Sequence, residues 1–333
     1  MAGHDGVIAV AVSGGSDSLA LMHLLAGFAK ARRLSPPLVL TVDHGLQKSS
    51  AAHAKKVAAW AKKAGLKAQV LRRTGPAPKS GIEAAAREAR YRLMGAWLAK
   101  RKITTLFVAH TGDDQAETFL LRLARGSGLD GLAAMRAVAP WPVPGFAGLL
   151  VARPLLDFRR EELRAHLTSL GQPWLDDPMN DDPAFDRVKI RKAMAALAKA
   201  GLTVPRIASA AAHLARARES LEIVTEAVLA RTVRTIPGGV LLDPAVLAAA
   251  PREVGLRALA AVLMAVSGQA YRPRFESLER LFGLISSGTL GSGATLHGCH
   301  IRPAGRLAKD FAPGALVLVP ESPRKTGSSA RKG

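Results

Sequence analysis

Residues 7–18 read VIAVAVSGGSDS, and this stretch decides the fold expected for the chain. Its first six residues are all apolar, which is typical of a strand that is buried on both faces of a parallel sheet. The glycines and serines that follow predict a tight turn, and the amphipathic pattern of residues 17–30 predicts a helix. Strand, turn and helix in this order begin a βαβ unit.

The same alternation continues through the first half of the chain. Short apolar runs predict further strands, at 38–42, 68–71 and 105–109. Amphipathic stretches predict helices, at 51–64, 82–100 and 113–125. This order predicts an α/β fold with a doubly wound, mostly parallel sheet, in which ligands bind beyond the carboxyl ends of the strands. The turn at 13–18 lies at such an end.

The texture of the sequence changes beyond a proline-rich loop predicted at 140–145. An apolar run and an amphipathic stretch can still belong to the first domain, at 149–152 and 159–170. Later helices and strands are predicted at 206–234, 251–266, 274–286, 294–301 and 316–319. We therefore predict three segments: a catalytic domain at 1–203, a linker helix with a smaller α+β domain at 204–319, and a basic disordered tail at 320–333.

The amino-acid composition limits the kinds of partner and location that we expect for this chain. The chain has 333 residues, with 47 Lys and Arg against 26 Asp and Glu, so its net charge is +21. Such a charge on a folded protein favours a polyanionic partner, nucleic acid first and an anionic membrane second. No apolar run reaches the roughly 18 residues of a membrane-spanning helix, and the first residues lack signal-peptide features, so we expect a cytoplasmic protein. The single cysteine excludes an internal disulfide.

The turn after the first predicted strand has the chemistry of a phosphate cradle. Its two glycines let backbone N–H groups approach a ligand, its serine hydroxyls add donors, and the helix that it opens adds partial positive charge. The lysine of a Walker loop is missing. Asp17 can cap the helix or hold Mg²⁺ near the phosphates. The alternative is a Ser-Gly turn that only caps a helix.

Charged residues mark two other predicted helices. Asp114 and Glu117 are three residues apart and share a helix face; the alternative is that these acids only cap the helix and favour its dipole. Arg87 and Arg90 also face one way, which suits a carboxylate or a phosphate, or an ordinary solvated basic face. Asp43, at the end of the second predicted strand, is a candidate ligand of Mg²⁺ or substrate.

Together these segments resemble a known family. The SGGSDS turn resembles the pyrophosphate loop of the N-type ATP pyrophosphatase, or PP-loop, superfamily. Further motifs are VDHGL at 42–46, AREARY at 86–91, AHTGDDQAET at 109–118, LRLARGSG at 121–128, RPLL at 153–156 and DPMN at 177–180. In this order and spacing they resemble bacterial tRNA(Ile)-lysidine synthetases, closely over 7–200 and more loosely beyond.

The resemblance implies an ATP-dependent carbon–nitrogen ligase. In that family the ε-amine of free L-lysine is joined to carbon 2 of the wobble cytidine in the CAU anticodon of tRNA(Ile), through an adenylated cytidine, with release of AMP and diphosphate. The product, lysidine, switches codon reading from AUG to AUA. The implied cofactors are ATP and Mg²⁺, and the implied partners are this tRNA, bound by the C-terminal domain, and lysine, with no membrane. The implied assembly is a monomer or a homodimer.

The resemblance also implies roles for individual residues. The ATP-binding set is Ser13, Gly14, Gly15, Ser16, Asp17, Ser18, His44 and His110. The catalytic set is Asp43, Arg87, Asp114 and Glu117, of which the last three also bind lysine. The tRNA-binding set is Arg90, Arg122, Arg125, Arg187, Lys189 and Arg191, and Mg²⁺ is assigned to Asp17 and Asp43. The lysine amine has a reference pKa of about 10.4 and arrives protonated, so a carboxylate must pair with it and help to remove its proton.

Some positions depart from the family pattern or invite other interpretations. The departures are Gln47, Thr111, Met179 and Val188, which concern details of binding and not the reaction. GSGLDG at 126–131 matches the dinucleotide fingerprint but follows a helix, so we interpret it as a helix end and turn. HGCH at 297–300 lacks a second cluster of metal ligands, so we expect a strand there.

Rival functions fit the composition less well. A tRNA thiolase of the same superfamily needs catalytic cysteines, and this chain has only Cys299. Small-molecule synthases with the same loop have no need of the large positive charge. A non-catalytic RNA-binding protein would leave the loop and the Asp114–Glu117 pair without a role.

Overall fold

The structure, a computed structural model, describes residues 7–45, 49–74, 82–176 and 186–321. The chain divides into two compact units, Met1–Arg216 and Ala217–Gly333. The domain bounds expected from the sequence stay a prediction. Gln47, the DPMN segment with Met179 and most of the predicted tail lie outside the described residues.

The N-terminal unit is built on a six-stranded sheet. Its strands are β1 (Ala9–Ala11), β2 (Leu38–Asp43), β3 (Ala68–Arg72), β4 (Thr105–Phe107), β5 (Val138–Pro140) and β6 (Leu150–Ala152). Across the sheet they lie in the order β3-β2-β1-β4-β6-β5, and all neighbours are parallel except β5 and β6. The predicted doubly wound, mostly parallel sheet is confirmed. Its order runs outward from β1 in both directions, so the ligand crevice is expected at the carboxyl end of β1.

Helices connect these strands. They are α1 (Ser16–Ala31), α2 (Ser50–Lys63), α3 (Ile82–Lys100), α4 (Gly112–Ala124), α5 (Leu129–Leu132), α6 (Arg160–Ser169) and α7 (Asp186–Lys199). The five helices predicted up to residue 170 are confirmed to within one residue at each end. Gly126 has a φ of +68° just after α4, so the first part of the GSGLDG segment is a helix end and turn, as interpreted from the sequence, whereas its residues 129–131 belong to the short helix α5.

Two features of the sheet differ from the expectation. Residues 138–140 form β5, although Pro140 was assigned to a loop; this strand lies at a sheet edge, where proline is tolerated. The expectation that every strand is buried on both faces is wrong for β3, whose Ala68, Gln69 and Arg72 are exposed. The reason is that β3 is the other edge strand.

Apolar side chains cover both faces of the sheet. Alternate residues of β1 join different clusters, Val10 with Leu19 and Leu167 on one face, and Ala9 with Leu98 on the other. These leucines are fully buried, and each contributes about 1.5–3 kcal/mol of transfer free energy. The two clusters fix the helices against the sheet and therefore fix the positions of the strand ends.

The C-terminal unit contains an antiparallel sheet in the order β7-β8-β11-β10-β9. From the long helix onward the elements are α8 (Val204–Thr232), β7 (Val233–Ile236), β8 (Gly239–Leu242), α9 (Pro244–Ala249), α10 (Arg252–Ser267), α11 (Phe275–Ser286), β9 (Ala294–Leu296), β10 (Cys299–Pro303) and β11 (Leu316–Pro320). The predicted end of the long helix at 234 is wrong, because the β7–β8 hairpin begins at Val233. The predicted strand at 294–301 is two strands, joined at His297 and Gly298, where φ is positive.

The core of this unit lies between the sheet and helices α10 and α11, around Leu259, Leu263 and Phe282. Cys299 belongs to this core, and its thiol donates to the carbonyl oxygen of Leu263 at 3.3 Å. The expected strand at HGCH is confirmed for Cys299 and His300, which begin β10, whereas His297 and Gly298 form the turn before it. Within the described parts of both units, no helix combines the length and the apolar composition that crossing a membrane requires.

Candidate active site

The turn predicted to bind phosphate joins β1 to α1 at the centre of the sheet. Gly14 has a φ of +99°, a conformation that L side chains rarely adopt. A Cβ atom there would lie 2.7 Å from Cδ1 of Leu175, whose backbone N–H donates to the Gly14 carbonyl oxygen at 2.9 Å. Glycine is therefore required at this position both by the backbone angle and by the close approach of a neighbouring segment.

Serine hydroxyls hold the shape of this turn. Ser18 Oγ accepts from the Ser13 N–H at 3.2 Å and donates to the Gly15 carbonyl oxygen at 2.9 Å. The Ser16 hydroxyl donates to Asp17 Oδ1 at 3.1 Å. Because α1 begins at Ser16, its first N–H groups lack acceptors within the helix and point out of its N-terminus. An anion there meets both these donors and the positive end of the helix dipole.

A reciprocal cap fixes Asp114 at the start of α4. The N–H and the hydroxyl of Thr111 donate to Asp114 Oδ2 at 2.8 and 2.9 Å, and the Asp114 N–H donates to Thr111 Oγ1 at 3.4 Å. Thr111, one of the departures from the family pattern, therefore begins the helix. The second oxygen of Asp114 stays available for another partner.

Arg160, the first residue of α6, joins three carboxylates that are far apart in the sequence. Its Nε lies 3.0 Å from Asp17 Oδ2. Its Nη2 lies 3.3 Å from Asp114 Oδ1, and its Nη1 lies 3.5 Å from Glu117 Oε1. The phosphate turn and the acids of α4, which the sequence assigned to ATP and to lysine, thus belong to one cluster.

Charge and burial oppose each other in this cluster. Burial raises the pKa of Asp17 above its usual value, and the nearby guanidinium of Arg160 offsets only part of that effect. Burial acts to lower the pKa of Arg160, but the carboxylates, led by Asp114, outweigh it and raise the pKa. The guanidinium therefore stays positively charged, and the carboxylates are held by a group that a second cation would have to displace.

Glu117 lines a cavity of about 390 Å³ that α4, α6 and α7 also border. Its Oε1 accepts from Arg191 Nε at 3.1 Å. Its Oε2 is buried and has no hydrogen-bond donor among the described residues. A buried carboxylate oxygen is costly unless a donor reaches it, so Oε2 can accept from a ligand, in a cavity that Arg159, Arg160 and Arg191 also line.

Asp113 has a different role from its neighbour. Its Oδ2 accepts from the Arg160 N–H at 2.8 Å and from Arg159 Nε at 3.3 Å. This carboxylate therefore ties the start of α6 to the start of α4 and sets the position from which the Arg160 side chain reaches the cluster.

His110, at the carboxyl end of β4, lies beside several cations. Its Nδ1 accepts from Arg153 Nε at 3.2 Å. Burial lowers the pKa of His110 to about 4, against the pull of Asp114, and the charges of Arg153, Arg87 and Arg187 lower it further. His110 is therefore neutral near pH 7. Asp114, Arg87 and Arg187 are near enough to affect the charge of His110, and the roles assigned to these residues stay a prediction.

A second group of residues lies at the carboxyl end of β2. Asp43 Oδ1 accepts from the Ser50 hydroxyl at 2.7 Å and from the Gly45 N–H at 3.1 Å, and its Oδ2 lies 3.4 Å from Arg72 Nε. The Ser50 hydrogen bond is the main cause of a lowered pKa for Asp43. Burial lowers the pKa of His44, and the charge of Arg90 lowers it further.

The remaining residues assigned to tRNA are dispersed. Arg122 donates to the carbonyl oxygens of Gly131 and Ala134 at 2.7 and 3.1 Å and so holds the turn after α4. Arg125 and Lys189 both pair with Asp186, at 3.2 and 3.4 Å, near the start of α7. Arg191 donates to Glu117 and is 38% exposed. Val188, another departure from the family pattern, is buried.

Sequence reasoning missed Arg153, Arg159 and Arg160. Cations are unfavourable at a helix N-terminus, so two adjacent arginines at the predicted start of α6 were a signal of partners elsewhere. Arg153 directly follows an apolar strand and is 8% exposed, which demands partners for its charge. Neither signal says which carboxylate or ring is the partner.

Comparison with known proteins connects this geometry to a family. A family model described as a PP-loop domain matches residues 3–197. A tRNA(Ile)-lysidine synthase of Methylobacterium nodulans is 40% identical over 338 residues, which cover 98% of this chain and 93% of that protein. The chain belongs to the tRNA(Ile)-lysidine synthase family. Family members of Ruegeria pomeroyi and Bradyrhizobium sp. are also 40% identical; the matches cover 94% and 96% of this chain and 74% and 91% of those proteins.

A solved structure shows the same fold in a more distant protein. The U34-tRNA thiolase NcsA from Methanococcus maripaludis, with its [4Fe-4S] cluster, superposes with a TM-score of 0.51 at 16% identity, covering 66% of this chain and 73% of that one. Membership of the lysidine synthase family confirms the resemblance, the PP-loop fold and the enzyme class predicted from the sequence, an ATP-dependent ligase.

Proposed function

We propose that this chain joins free L-lysine to carbon 2 of the wobble cytidine of a CAU-bearing tRNA(Ile). In the first step the cytidine carbon 2 oxygen attacks the α-phosphorus of ATP, and diphosphate leaves. In the second step the ε-amine of lysine attacks carbon 2, the carbon–nitrogen bond forms, and AMP leaves with the oxygen. The observation that carries the proposal is the direct link, through Arg160, between the phosphate turn and the acids of α4.

The phosphate turn supports the first step. The N–H groups at the start of α1 and the Ser13 and Ser16 hydroxyls would hold the departing diphosphate, so that negative charge is stabilised as it develops. His44 and His110 would bind ATP as neutral rings. Because the pKa of His110 is lowered to about 4, this ring can donate or accept a hydrogen bond at neutral pH but cannot serve as a charged acid.

The acids of α4 support the second step. The ε-ammonium of lysine would pair with Asp114 and with Glu117, whose Oε2 is the buried oxygen that has no donor among the described residues. To do so it must displace the Arg160 guanidinium, which would be released toward the phosphates. One carboxylate then takes the proton, since the protonated amine is not a nucleophile. Arg87, which is near enough to lower the pKa of His110, would bind the lysine carboxylate.

We assign Mg²⁺ to Asp17 and Asp43. Among the described residues no group of three acidic, His or Cys side chains could hold a metal ion alone. That fits a cation that is carried by ATP phosphates and needs only one or two protein carboxylates. When bound, Mg²⁺ would neutralise part of the phosphate charge.

The exposed cations near the start of α7 would contact RNA phosphates. Arg125 and Lys189 are more than half exposed and share Asp186, so a phosphate can replace that carboxylate without leaving a buried charge behind. Arg90, Arg122, Arg187 and Arg191 complete the assignment. We place the reaction in the cytoplasm, with a monomer or a homodimer as the assembly.

Incorporation of radiolabelled lysine into transcripts tests the proposal. With ATP and Mg²⁺, label should enter a CAU-bearing tRNA(Ile) transcript but not tRNA(Met), with release of AMP and diphosphate in equal amounts. No incorporation, together with ATP–diphosphate exchange on another acceptor, would move the function elsewhere in the superfamily. Sulfur transfer is already disfavoured, since the single cysteine is buried in the C-terminal core.

A further inference from the structure

The longest stretch of this chain without an acidic residue begins at the site just described and continues beyond it. Residues 44–82 contain nine Lys and Arg and no Asp or Glu, although the whole chain has 26 acidic residues. The described part of this stretch contains helix α2, the edge strand β3 and the turn with Lys67 between them. We name it the α2–β3 surface and define it by Lys55, Lys56, Lys62, Lys63, Lys67 and Arg72.

The side chains of this surface are open to solvent. All five lysines are exposed, and Arg72 is 73% exposed. Within the described ranges none of the five lysines forms an ion pair; Lys56 lies 5.2 Å from the ring centroid of Trp60. Closely spaced like charges destabilise a helix slightly, so binding to a partner of opposite charge has to offset that cost.

The surface begins directly beside the proposed site. Arg72 ends β3 and contacts Asp43, and the neighbouring Arg73 N–H donates to the Asp43 carbonyl oxygen at 2.9 Å. From there the exposed lysines continue along α2, where Lys55 and Lys62 share one face about 10 Å apart. A polyanion whose end enters the site at β2 would therefore pass over these lysines.

We propose that the α2–β3 surface binds the backbone phosphates of the RNA arm that carries the reacting nucleotide. This inference rests on the proposed function for the identity of that arm. A membrane fits less well, because helices that lie on bilayers present bulky apolar residues beside their cations. The apolar residues of α2 instead pack inward: Val57 is part of the N-terminal core, and Trp60 packs against it.

The test compares two double variants by their binding to a fluorescent hairpin with the sequence of the anticodon arm. Lys55→Gln with Lys62→Gln removes two charges from the surface. Lys30→Gln with Lys100→Gln removes two exposed lysines from the last turns of α1 and α3 and is the matched control. Each lost phosphate contact lowers the slope of log Kd against log salt by about 0.7–0.9, so the first variant should lose about 1.5 and the control nothing.

Further variants and measurements separate the loss of phosphate contacts from other effects of the substitutions. Lys55→Arg with Lys62→Arg should restore the wild-type slope, and the affinity of full-length tRNA should fall by the same factor as that of the hairpin. An unchanged slope, an equal loss in the control, or a loss confined to full-length tRNA overturns the proposal. So does a loss of binding to vesicles of phosphatidylglycerol with hairpin binding intact. Binding is measured without catalysis, so a chain that binds through this surface but transfers no lysine contradicts only the proposed function.

Discussion

The turns after β1 and β2 each present an aspartate assigned to Mg²⁺, but the two carboxylates are held in different ways. Asp43 is held locally by Ser50 and Gly45, both within seven residues, and its pKa is lowered. Asp17 is held by Arg160, 143 residues away, and its pKa is raised by burial. The local hydrogen bonds of Asp43 stabilise its charge whether or not a ligand is bound. Asp17 can instead exchange the Arg160 guanidinium for another cation.

This difference distinguishes a carboxylate with a fixed position, Asp43, from carboxylates that can change partners. The β2 turn fixes the orientation of the Asp43 carboxylate before any ligand binds, through two hydrogen bonds to Oδ1. The β1 and α4 turns share one guanidinium among three carboxylates, and one oxygen of Glu117 has no donor among the described residues. These carboxylates can therefore bind a cationic group of a ligand.

The largest effect is expected at Asp114. Asp114→Asn keeps an oxygen for the cap of α4 but removes the charge that pairs with the substrate amine, so lysine transfer should fall by at least about 10²-fold, while tRNA affinity is unchanged. Asp113→Asn is the matched control, because Asp113 contacts only Arg159 and Arg160 in the described structure and should lose far less activity. Equal loss of transfer and tRNA binding in Asp114→Asn would contradict its role.

Arg160→Met tests the exchangeable counter-charge. It leaves three mostly buried carboxylates without their shared partner, so the N-terminal unit should lose about 3 kcal/mol of unfolding free energy. All four tryptophans lie in this unit, so their fluorescence in urea reports its unfolding. Arg92→Met, which breaks an exposed pair with Glu88, should cost less than about 0.5 kcal/mol.

Lysine itself sharpens this result. In Arg160→Met the ε-ammonium no longer competes with that guanidinium for Asp114 and Glu117, while Arg191 still contacts Glu117, so added lysine should raise the unfolding midpoint of the variant more than that of the wild type. Norleucine, which lacks the ammonium, should have no effect. An equal shift for lysine in both proteins would show that Arg160 does not compete for the acids.

The two aspartates should respond oppositely to pH. The lowered pKa of Asp43 gives stability above its ordinary value of 3.8 that is lost as pH falls through the folded pKa, so Asp43→Asn should cost about 1–2 kcal/mol at pH 7 and progressively less below pH 3.8. Asp17 has a raised pKa, so its ionised form is disfavoured in the fold and Asp17→Asn should cost little at pH 7. Urea unfolding of both variants at pH 7 and below pH 3.8 measures these costs. Equal costs of Asp43→Asn and Asp17→Asn at pH 7 would contradict the predicted difference between the two aspartates.

The smallest effect is expected at His110. Its pKa falls from the ordinary 6.5 to about 4 in the fold, so it contributes stability above pH 6.5 that is lost as the pH drops toward 4. Between pH 6.5 and 5.5 the loss should be about 1 kcal/mol, and His110→Asn should abolish it. The same pH slope in both proteins would show that His110 is not buried as a neutral ring.

Much of the N-terminal fold could be predicted because its signals are local. The apolar runs that became β1, β2, β4 and β6 follow from hydrophobic periodicity, and the helix ends agree to within one residue. Two strand errors have different causes. β5 depends on pairing with β6, which no local pattern of residues 138–140 reveals. The β7–β8 hairpin does have a local signal, the Pro-Gly-Gly turn at 237–239 between two apolar runs, and the helix predicted through residue 234 overlooked it. The exposure of β3 likewise follows from its place at the edge of the sheet.

The sequence by itself determined the phosphate turn, the acids that begin α4 and the excess of positive charge, because each depends on residue type and short spacing. Only the tertiary structure decided that Arg160 joins Asp17, Asp114 and Glu117, and that Arg153 reaches His110. Those contacts join segments brought together by packing on the sheet. Counter-charges act over a few ångströms whatever their separation along the chain, so residue spacing alone cannot reveal them.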